Sequence, residues 1–117
     1  MDAAKAMRAR LRADLQAAMR RRDSLAASTL RGLIAALDNA QAVALDLSGP
    51  ASPPRPFGDG TGEVPRRTLS ATDVTRALDA ERAARLSAAA EMARLGRIAD
   101  AERLNAEAAL IARYRAR

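Results

Sequence analysis

The prolines of this chain are confined to one segment, and that segment limits how the rest can fold. All five prolines and four of the six glycines lie between residues 45 and 69 of the 117-residue chain. The run PASPPRPFGDGTG cannot hold a helix or a central strand, because proline lacks a backbone donor and glycine is conformationally free. We therefore predict a flexible linker at 45–69 between helical hairpins at 1–44 and 70–117, within one domain. The segment is typical of a tether, and a proline-rich ligand for an SH3-like domain is the alternative.

Outside that segment, the composition favours helices. The chain holds 31 alanines but only one Phe, one Tyr and no Trp, so the core must be built from Leu, Ile, Val, Met and Ala. Alanine has the highest helix propensity and lets helices approach closely. The expected fold is all-α, with four main helices arranged as two antiparallel helical hairpins joined by the Pro/Gly-rich loop.

Apolar residues that recur with a helical period place the four helices. The predicted spans are about 3–22, 24–44, 70–95 and 97–113. In chain order, the expected apolar stripes are Met7, Leu11, Leu15 and Met19; Leu30, Leu33, Ile34 and Leu37; Val74, Leu78, Ala88, Met92 and Leu95; and Ile98, Ala101, Ala108 and Ile111.

Residues with strong helix-end preferences agree with these spans. Asp23 or Ser24 is the natural N-cap of the second helix, and the short junction before it predicts an antiparallel hairpin. Ser70 and Asp73 approximate a capping box at the start of the third helix. Gly96 is expected to end that helix in a left-handed conformation.

The charge of the chain is strongly positive. Its net charge of +6 is carried by 19 arginines and a single lysine. Arginine and alanine codons are both GC-rich, so codon usage is one explanation, and a surface for RNA or another polyanion is the other. With almost no aromatic residues for base stacking, contact would be to phosphates. The candidate nucleic-acid-binding residues are Arg8, Arg12, Arg20, Arg21, Arg22, Arg113 and Arg115.

Several function classes lack the residues that they need. The chain has no Cys and no His, which removes thiol nucleophiles, imidazole bases and ordinary zinc sites. It also has no HExxH motif and no glycine-rich phosphate loop. We predict no catalytic residue, no metal site and no cofactor. No apolar run is long enough to cross a bilayer, so we expect a cytoplasmic protein without a membrane partner.

Two charged residues, Glu81 and Arg85, fall on the apolar stripe of the third helix. An arginine in such a place needs carboxylate partners, because it cannot lose its proton. We hypothesise one inter-helical polar network, with Arg97 held by the end of the third helix or by an acid. Tyr114 is expected to pack with its hydroxyl in water. The residues assigned to the structural polar network are Arg31, Arg85, Ser87, Arg97, Glu102 and Glu107.

The order and spacing of several short elements resemble the N-terminal helical domain of YqeY-like proteins, in the GatB/YqeY family. Each element is weak alone, but together they span nearly the whole chain. They are the opening LRADLQAAMRRRD at 11–23, Ser28-Thr29-Leu30-Arg31, Asn39-Ala40, Leu69-Ser70 with Asp73, Arg85-Leu86-Ser87, Gly96-Arg97, Glu102, Glu107 and Tyr114. The family continues beyond that tyrosine with a second helical domain, so we expect this chain to correspond to the N-terminal domain alone.

The resemblance implies an association with tRNA-dependent amidotransferase systems. It suggests a non-catalytic helical module whose partner is tRNA or an amidotransferase or synthetase complex. A protein-interaction or homo-oligomerisation module of unknown process is the alternative. Carbon–nitrogen ligase activity with glutamine as amido-N-donor is implied by family analogy only, since fold similarity does not establish chemistry.

Overall fold

Four helices in two hairpins make up the fold. A computed structural model describes residues 2–48 and 69–115, with residues 45–48 described by their backbone alone. The helices are α1 (Ala3–Arg20), α2 (Ser24–Ser48), α3 (Ala71–Arg94) and α4 (Ile98–Arg115), and the described part contains no strand. α1 packs along α2, α3 packs along α4, and α2 contacts both helices of the second hairpin. The predicted all-α arrangement of two hairpins is confirmed.

The predicted linker at 45–69 lies mostly outside the described residues. Its first four residues continue α2 to Ser48, so the predicted end of that helix at 44 is wrong by about one turn. Nothing in the sequence before Gly49 breaks a helix. At its other end, Leu69 is buried in the core immediately before the Ser70 cap. Leu69 precedes the cap and Val74 follows at the fourth helical position, the placement of a hydrophobic staple.

The second hairpin turns through three residues at Gly96. Gly96 has φ 77°, its N–H donates to the Ala93 carbonyl at 3.0 Å, and the Arg97 N–H donates to the Met92 carbonyl at 2.8 Å. This pair of bonds defines a Schellman motif, which satisfies carbonyls that the helix end leaves free. The predicted left-handed helix end at Gly96 is confirmed, as is the capping box at the start of α3.

The first hairpin uses the same turn with an arginine in the glycine position. Arg22 has φ 58° and its N–H donates to the Met19 carbonyl at 3.1 Å, while the Asp23 N–H donates to the Ala18 carbonyl at 2.9 Å. Asp23 then caps α2 by accepting the N–H of Ala26 at 3.0 Å. α1 therefore ends two residues earlier than predicted. A left-handed conformation costs an L-residue roughly 1 kcal/mol or more.

The main core lies between α1, α2, the start of α3 and the end of α4. Its largest fully buried side chains are Leu11, Leu30, Leu33, Leu37, Leu78 and Ile111, with the hydroxyl of Thr29 bonded to the Leu25 carbonyl. Met19 was expected in this core, but it is 52% exposed. Steps of four residues advance 40° around a helix, so a stripe that ends at Met19 drifts away from the contact line.

The far half of the second hairpin packs on itself through small side chains. Ala89 and Ala101 are buried there, outside the main core. Leu95 and Ile98 flank the turn and are 61% and 55% exposed, so their predicted place in the core is wrong. The hairpin tip extends beyond the residues that pack against it, in a molecule of 56 × 32 × 26 Å.

We expect Arg22→Gly to stabilise the protein by about 0.5–1 kcal/mol, because glycine adopts the left-handed conformation without the Cβ clash. Chemical denaturation midpoints measure the change. Arg22→Gln is the matched control, since it removes the same charge but keeps the strained conformation, and it should leave stability nearly unchanged. Equal stabilisation by both variants would show that charge, not backbone conformation, limits this turn.

Candidate functional site

A partly buried hydrogen bond joins the first and last helices. Tyr114, in the last turn of α4, is buried, and its hydroxyl donates to the Asp14 carboxylate of α1 at 2.5 Å. The expectation that this hydroxyl would face water is therefore wrong. Burial and, to a smaller extent, the hydrogen bond to Asp14 together raise the pKa of Tyr114 to about 12. The hydroxyl stays protonated at every physiological pH.

Two arginines approach the ring of this tyrosine. The Arg10 guanidinium lies 4.5 Å from the ring centroid, a cation–π contact. Arg10 of α1 and Arg113 of α4 both act against the rise in the pKa of Tyr114, which places both positive charges near its hydroxyl. Neither arginine makes an ion pair within the described ranges 2–48 and 69–115.

These side chains line a cleft between α1, α2 and α4. It has a volume of about 190 Å³, and its charged lining consists of Arg10, Arg21, Arg113 and Asp14. Three positive charges face one negative charge, so the cleft favours an anion. Arg21 is also 3.5 Å from the Asp23 carboxylate, an exposed and loose contact. We call this the arginine cleft.

Only part of this cleft was predicted from the sequence. Arg21 and Arg113 were predicted to bind a polyanion, whereas Arg10 and Asp14 were not singled out. Positions 10, 14 and 21 are separated by four and seven residues, so they lie along one edge of α1. That edge lies beside the apolar stripe of α1. The spacing of positions 10, 14 and 21 could therefore have predicted that these charged side chains lie together. The contribution of Tyr114 depends on tertiary packing alone.

Two of the nominated arginines are engaged in internal ion pairs. Arg8 donates to Asp38 at 2.8 Å and to the side chain of Gln41, both on α2. Arg115 donates to Asp79 of α3 at 2.7 Å, and this hydrogen bond raises the pKa of Arg115. Their first role is to hold neighbouring helices together, which leaves fewer arginines for a partner.

The other nominated arginines of the first hairpin are exposed. Arg12, Arg20 and Arg22 make no ion pair with any residue in the described part of the chain. Lys5, Arg12 and Arg20 lie on the outer side of α1, away from the buried positions 4, 11 and 18. We call these three residues the basic stripe.

The polar network forms around Arg85, with a different membership from the hypothesis. Arg85 is 17% exposed, and its Nε donates to Glu107 of α4 at 3.0 Å. Its Nη1 donates to the carboxylate of Glu81 at 3.0 Å and to the Glu81 carbonyl at 3.1 Å. A Cβ added to Gly32 of α2 would lie 3.1 Å from Arg85 Nη2, so the glycine leaves room for this guanidinium. Three helices therefore meet at Arg85.

The remaining network residues lie apart from Arg85. Arg31 is exposed, and its Nη2 is 3.6 Å from the Met19 sulfur. Glu102 is exposed because it stands five residues before Glu107, about 140° around the same helix. Ser87 is also exposed, and Arg97, in the turn before α4, pairs with Asp100 in the first turn of α4 at 2.8 Å. Of the six residues assigned to the polar network, Arg85 and Glu107 therefore pair with each other, and Glu81 joins them through Arg85.

The described residues support binding more readily than catalysis. Within ranges 2–48 and 69–115, no group of three or more acidic side chains could hold a metal ion. None of the four described helices is both long and apolar enough to cross a bilayer. The arginine cleft and the basic stripe are both suited to anions, and the Tyr114 hydroxyl of the cleft, although bonded to the Asp14 carboxylate, has a raised pKa that keeps it protonated.

Comparison of the chain with models of known families, with curated proteins and with solved structures finds no significant match. The resemblance to the GatB/YqeY family therefore stays a prediction from the residues quoted above.

Because Tyr114 is the only tyrosine, its ionisation can be followed directly by absorbance. Its folded pKa of about 12 exceeds the ordinary value of 10.0, so the protonated hydroxyl is the form that the fold favours. The stability contributed by this shift is fully present below pH 10 and is lost as pH rises toward 12. We expect tyrosinate absorbance to appear well above pH 10, and Tyr114→Phe to flatten the stability profile between those values. A midpoint near 10 in the folded protein would contradict the buried bond to Asp14.

Two glutamates of α4 provide a matched test of the Arg85 junction. Glu107→Ala removes a partner of the half-buried Arg85, so we expect a loss of about 1–3 kcal/mol in the free energy of unfolding. Glu102→Ala makes the same change of charge and size on the same helix at an exposed position, and should cost less than about 0.5 kcal/mol. Denaturant titration compares the two variants, and equal losses would mean that Arg85 does not tie α3 to α4.

Proposed function

We propose that this chain is a non-catalytic helical module that binds a polyanion such as tRNA. The resemblance to the GatB/YqeY family suggests that it does so beside a tRNA-dependent amidotransferase or a synthetase. In this proposal, carbon–nitrogen ligase chemistry with glutamine belongs to that partner. The observation that carries the proposal is the basic stripe of Lys5, Arg12 and Arg20, whose charges no carboxylate of the described residues neutralises.

The distribution of charge supports the first hairpin as the binding face. Residues 2–44 contain eight basic and four acidic side chains, whereas residues 69–115 contain eight and seven. The arginines of the second hairpin are largely paired, for example Arg94 with Glu91 and Arg97 with Asp100. A polyanion that approaches the molecule therefore meets its unneutralised charge on α1.

The geometry of the basic stripe suits a phosphate backbone. Lys5 and Arg12 are seven residues apart and Arg12 and Arg20 eight, so their Cα atoms are separated by about 10–12 Å along the helix axis. Such cations contact phosphates without reading bases, and each contact releases counterions. We therefore expect binding that is salt-dependent and nearly independent of sequence.

A second candidate function is docking to another protein or to a second copy of the chain. The exposed Leu95 and Ile98 at the tip of the second hairpin favour it. Apolar side chains of this size at a hairpin end can insert into a partner surface. A tRNA interface and an apolar tip lie on different hairpins, so separate variants can test them.

The triple variant Lys5→Gln, Arg12→Gln and Arg20→Gln tests the tRNA proposal. At low salt we expect the native chain to bind tRNA, and the variant to bind at least about tenfold more weakly. The slope of log affinity against log salt should fall by about 2–3, because up to three phosphate contacts are removed. Fluorescence anisotropy with labelled tRNA measures both quantities.

The control is Arg82→Gln, Arg94→Gln and Arg103→Gln, which removes the same charge from exposed positions of the second hairpin. Equal losses in both triple variants would mean that net charge, not the basic stripe, drives binding. Absence of tRNA binding at low salt would reject the proposal. If light scattering then showed a mass that rises with concentration and falls on Leu95→Gln, self-association would replace it.

A further inference from the structure

We propose that the arginine cleft is a second, separate anion site that takes a phosphate monoester. Its walls come from three helices: Arg10, Asp14 and Arg21 belong to α1 or its end, Arg113 and Tyr114 belong to α4, and α2 closes the base. The edge of α1 that carries positions 10 and 14 is turned well away from position 12 of the basic stripe. Binding here is therefore distinct from polyanion binding on the outer side of α1.

The arginines of the cleft have donors to spare. Within the described residues, Arg10 and Arg113 form no hydrogen bond or ion pair with a protein acceptor, and Arg21 has only the loose contact with Asp23. A guanidinium presents five N–H donors in a planar fork that matches phosphate oxygens. Two guanidinium groups without a protein acceptor among the described residues therefore line one cleft of about 190 Å³ and can donate to the same ligand.

Arg10 is oriented before any ligand arrives. Its guanidinium lies over the Tyr114 ring, 4.5 Å from the ring centroid, and this cation–π contact restricts the position of the side chain. Tyr114 is in turn held by the hydrogen bond to Asp14. Asp14 thus positions Tyr114, and Tyr114 positions Arg10. Such preorganisation lowers the entropy cost of binding.

The charge of the cleft selects the kind of phosphate. Three arginines and one aspartate give the lining a net charge of about +2. A phosphate monoester carries about −1.5 to −2 at neutral pH, whereas a phosphodiester or a carboxylate carries one negative charge. A monoester is therefore the ligand whose charge the lining balances. It can be a small phosphorylated molecule or the phosphorylated end of an RNA.

Isothermal titration calorimetry with methyl phosphate and dimethyl phosphate tests this charge selection. The full chain should bind methyl phosphate at least about tenfold more tightly, because the diester has one charge fewer and fewer acceptor oxygens. Arg113→Gln should weaken methyl phosphate binding about tenfold, and the exposed residue can be changed without loss of core packing. Arg103→Gln, on the same helix and outside the cleft, is the matched control and should leave affinity unchanged.

A gain in affinity separates the cleft from a merely structural cluster. Asp14→Asn keeps an acceptor for the Tyr114 hydroxyl and removes the only negative charge of the lining, so methyl phosphate should bind about fivefold more tightly. Equal binding of the two esters, no effect of Arg113→Gln, or weaker binding by a folded Asp14→Asn protein would overturn the proposal.

A pair of RNA oligonucleotides identifies the source of the monoester. The affinities of a 5′-phosphorylated oligonucleotide and its 5′-hydroxyl counterpart are compared in the basic-stripe triple variant. Tighter binding of the phosphorylated oligonucleotide supports an RNA end as the ligand. Equal binding of the two oligonucleotides, with methyl phosphate still bound, supports a small phosphorylated molecule. The methyl phosphate result does not depend on the basic stripe, so failure of tRNA binding leaves it interpretable.

Discussion

Close approach of alanine-rich helices is the constraint on which the rest of this structure depends. With 31 alanines and two aromatic residues, the chain cannot fill wide gaps between helices. The helices must lie near one another, since dispersion contacts and buried area both require contact at short range. The far half of the second hairpin shows this most simply, because the buried residues there, Ala89 of α3 and Ala101 of α4, are both alanines.

Small side chains set the distance between two packed helices, but they do little to fix how one helix is shifted along the other. Polar contacts therefore have a larger part in aligning the hairpins. The Arg85 guanidinium lies where Gly32 leaves room on α2, and its Nε donates a hydrogen bond to Glu107 of α4. The bond between Tyr114 and Asp14 fixes the opposite end of α4 against α1. Arg85 beside Gly32 and Tyr114 bonded to Asp14 each connect the second hairpin to the first. We infer that they select one packing among several that an alanine surface would tolerate.

Local signals explain why most of the fold was predictable from the sequence. The confined prolines separate the hairpins, and the Ser70–Asp73 capping box and Gly96 mark helix ends by backbone chemistry that acts within a few residues. The errors arise where local rules are insufficient. Arg22 occupies a left-handed position that sequence rules assign to glycine, and Met19 leaves the core because a four-residue repeat drifts around the helix. The predicted end of α2 at residue 44 was wrong although residues 45–48 contain no helix breaker, and the helix continues to Ser48, directly before Gly49.

The candidate sites were less predictable, because the availability of an arginine is decided by its partners. Nineteen arginines look equivalent in the sequence. In the folded chain, Arg8 and Arg115 are engaged by Asp38 and Asp79, Arg85 is enclosed by two glutamates, and Arg10 is stacked on a ring. Net charge alone therefore overstates the surface available to an anion.

Two kinds of arginine remain for binding, and they differ in physical character. Arg12 and Arg20 of the basic stripe are exposed and form no ion pair with a described residue, so they attract a polyanion without defining a geometry. Arg10 is held over the Tyr114 ring, and the exposed Arg113 adds a second guanidinium to the lining of the same cleft. Solvated cations give salt-dependent attraction, whereas preorganised ones discriminate between ligands. If both bind, α1 recruits a polyanion on its outer side and recognises a single phosphate on its inner edge.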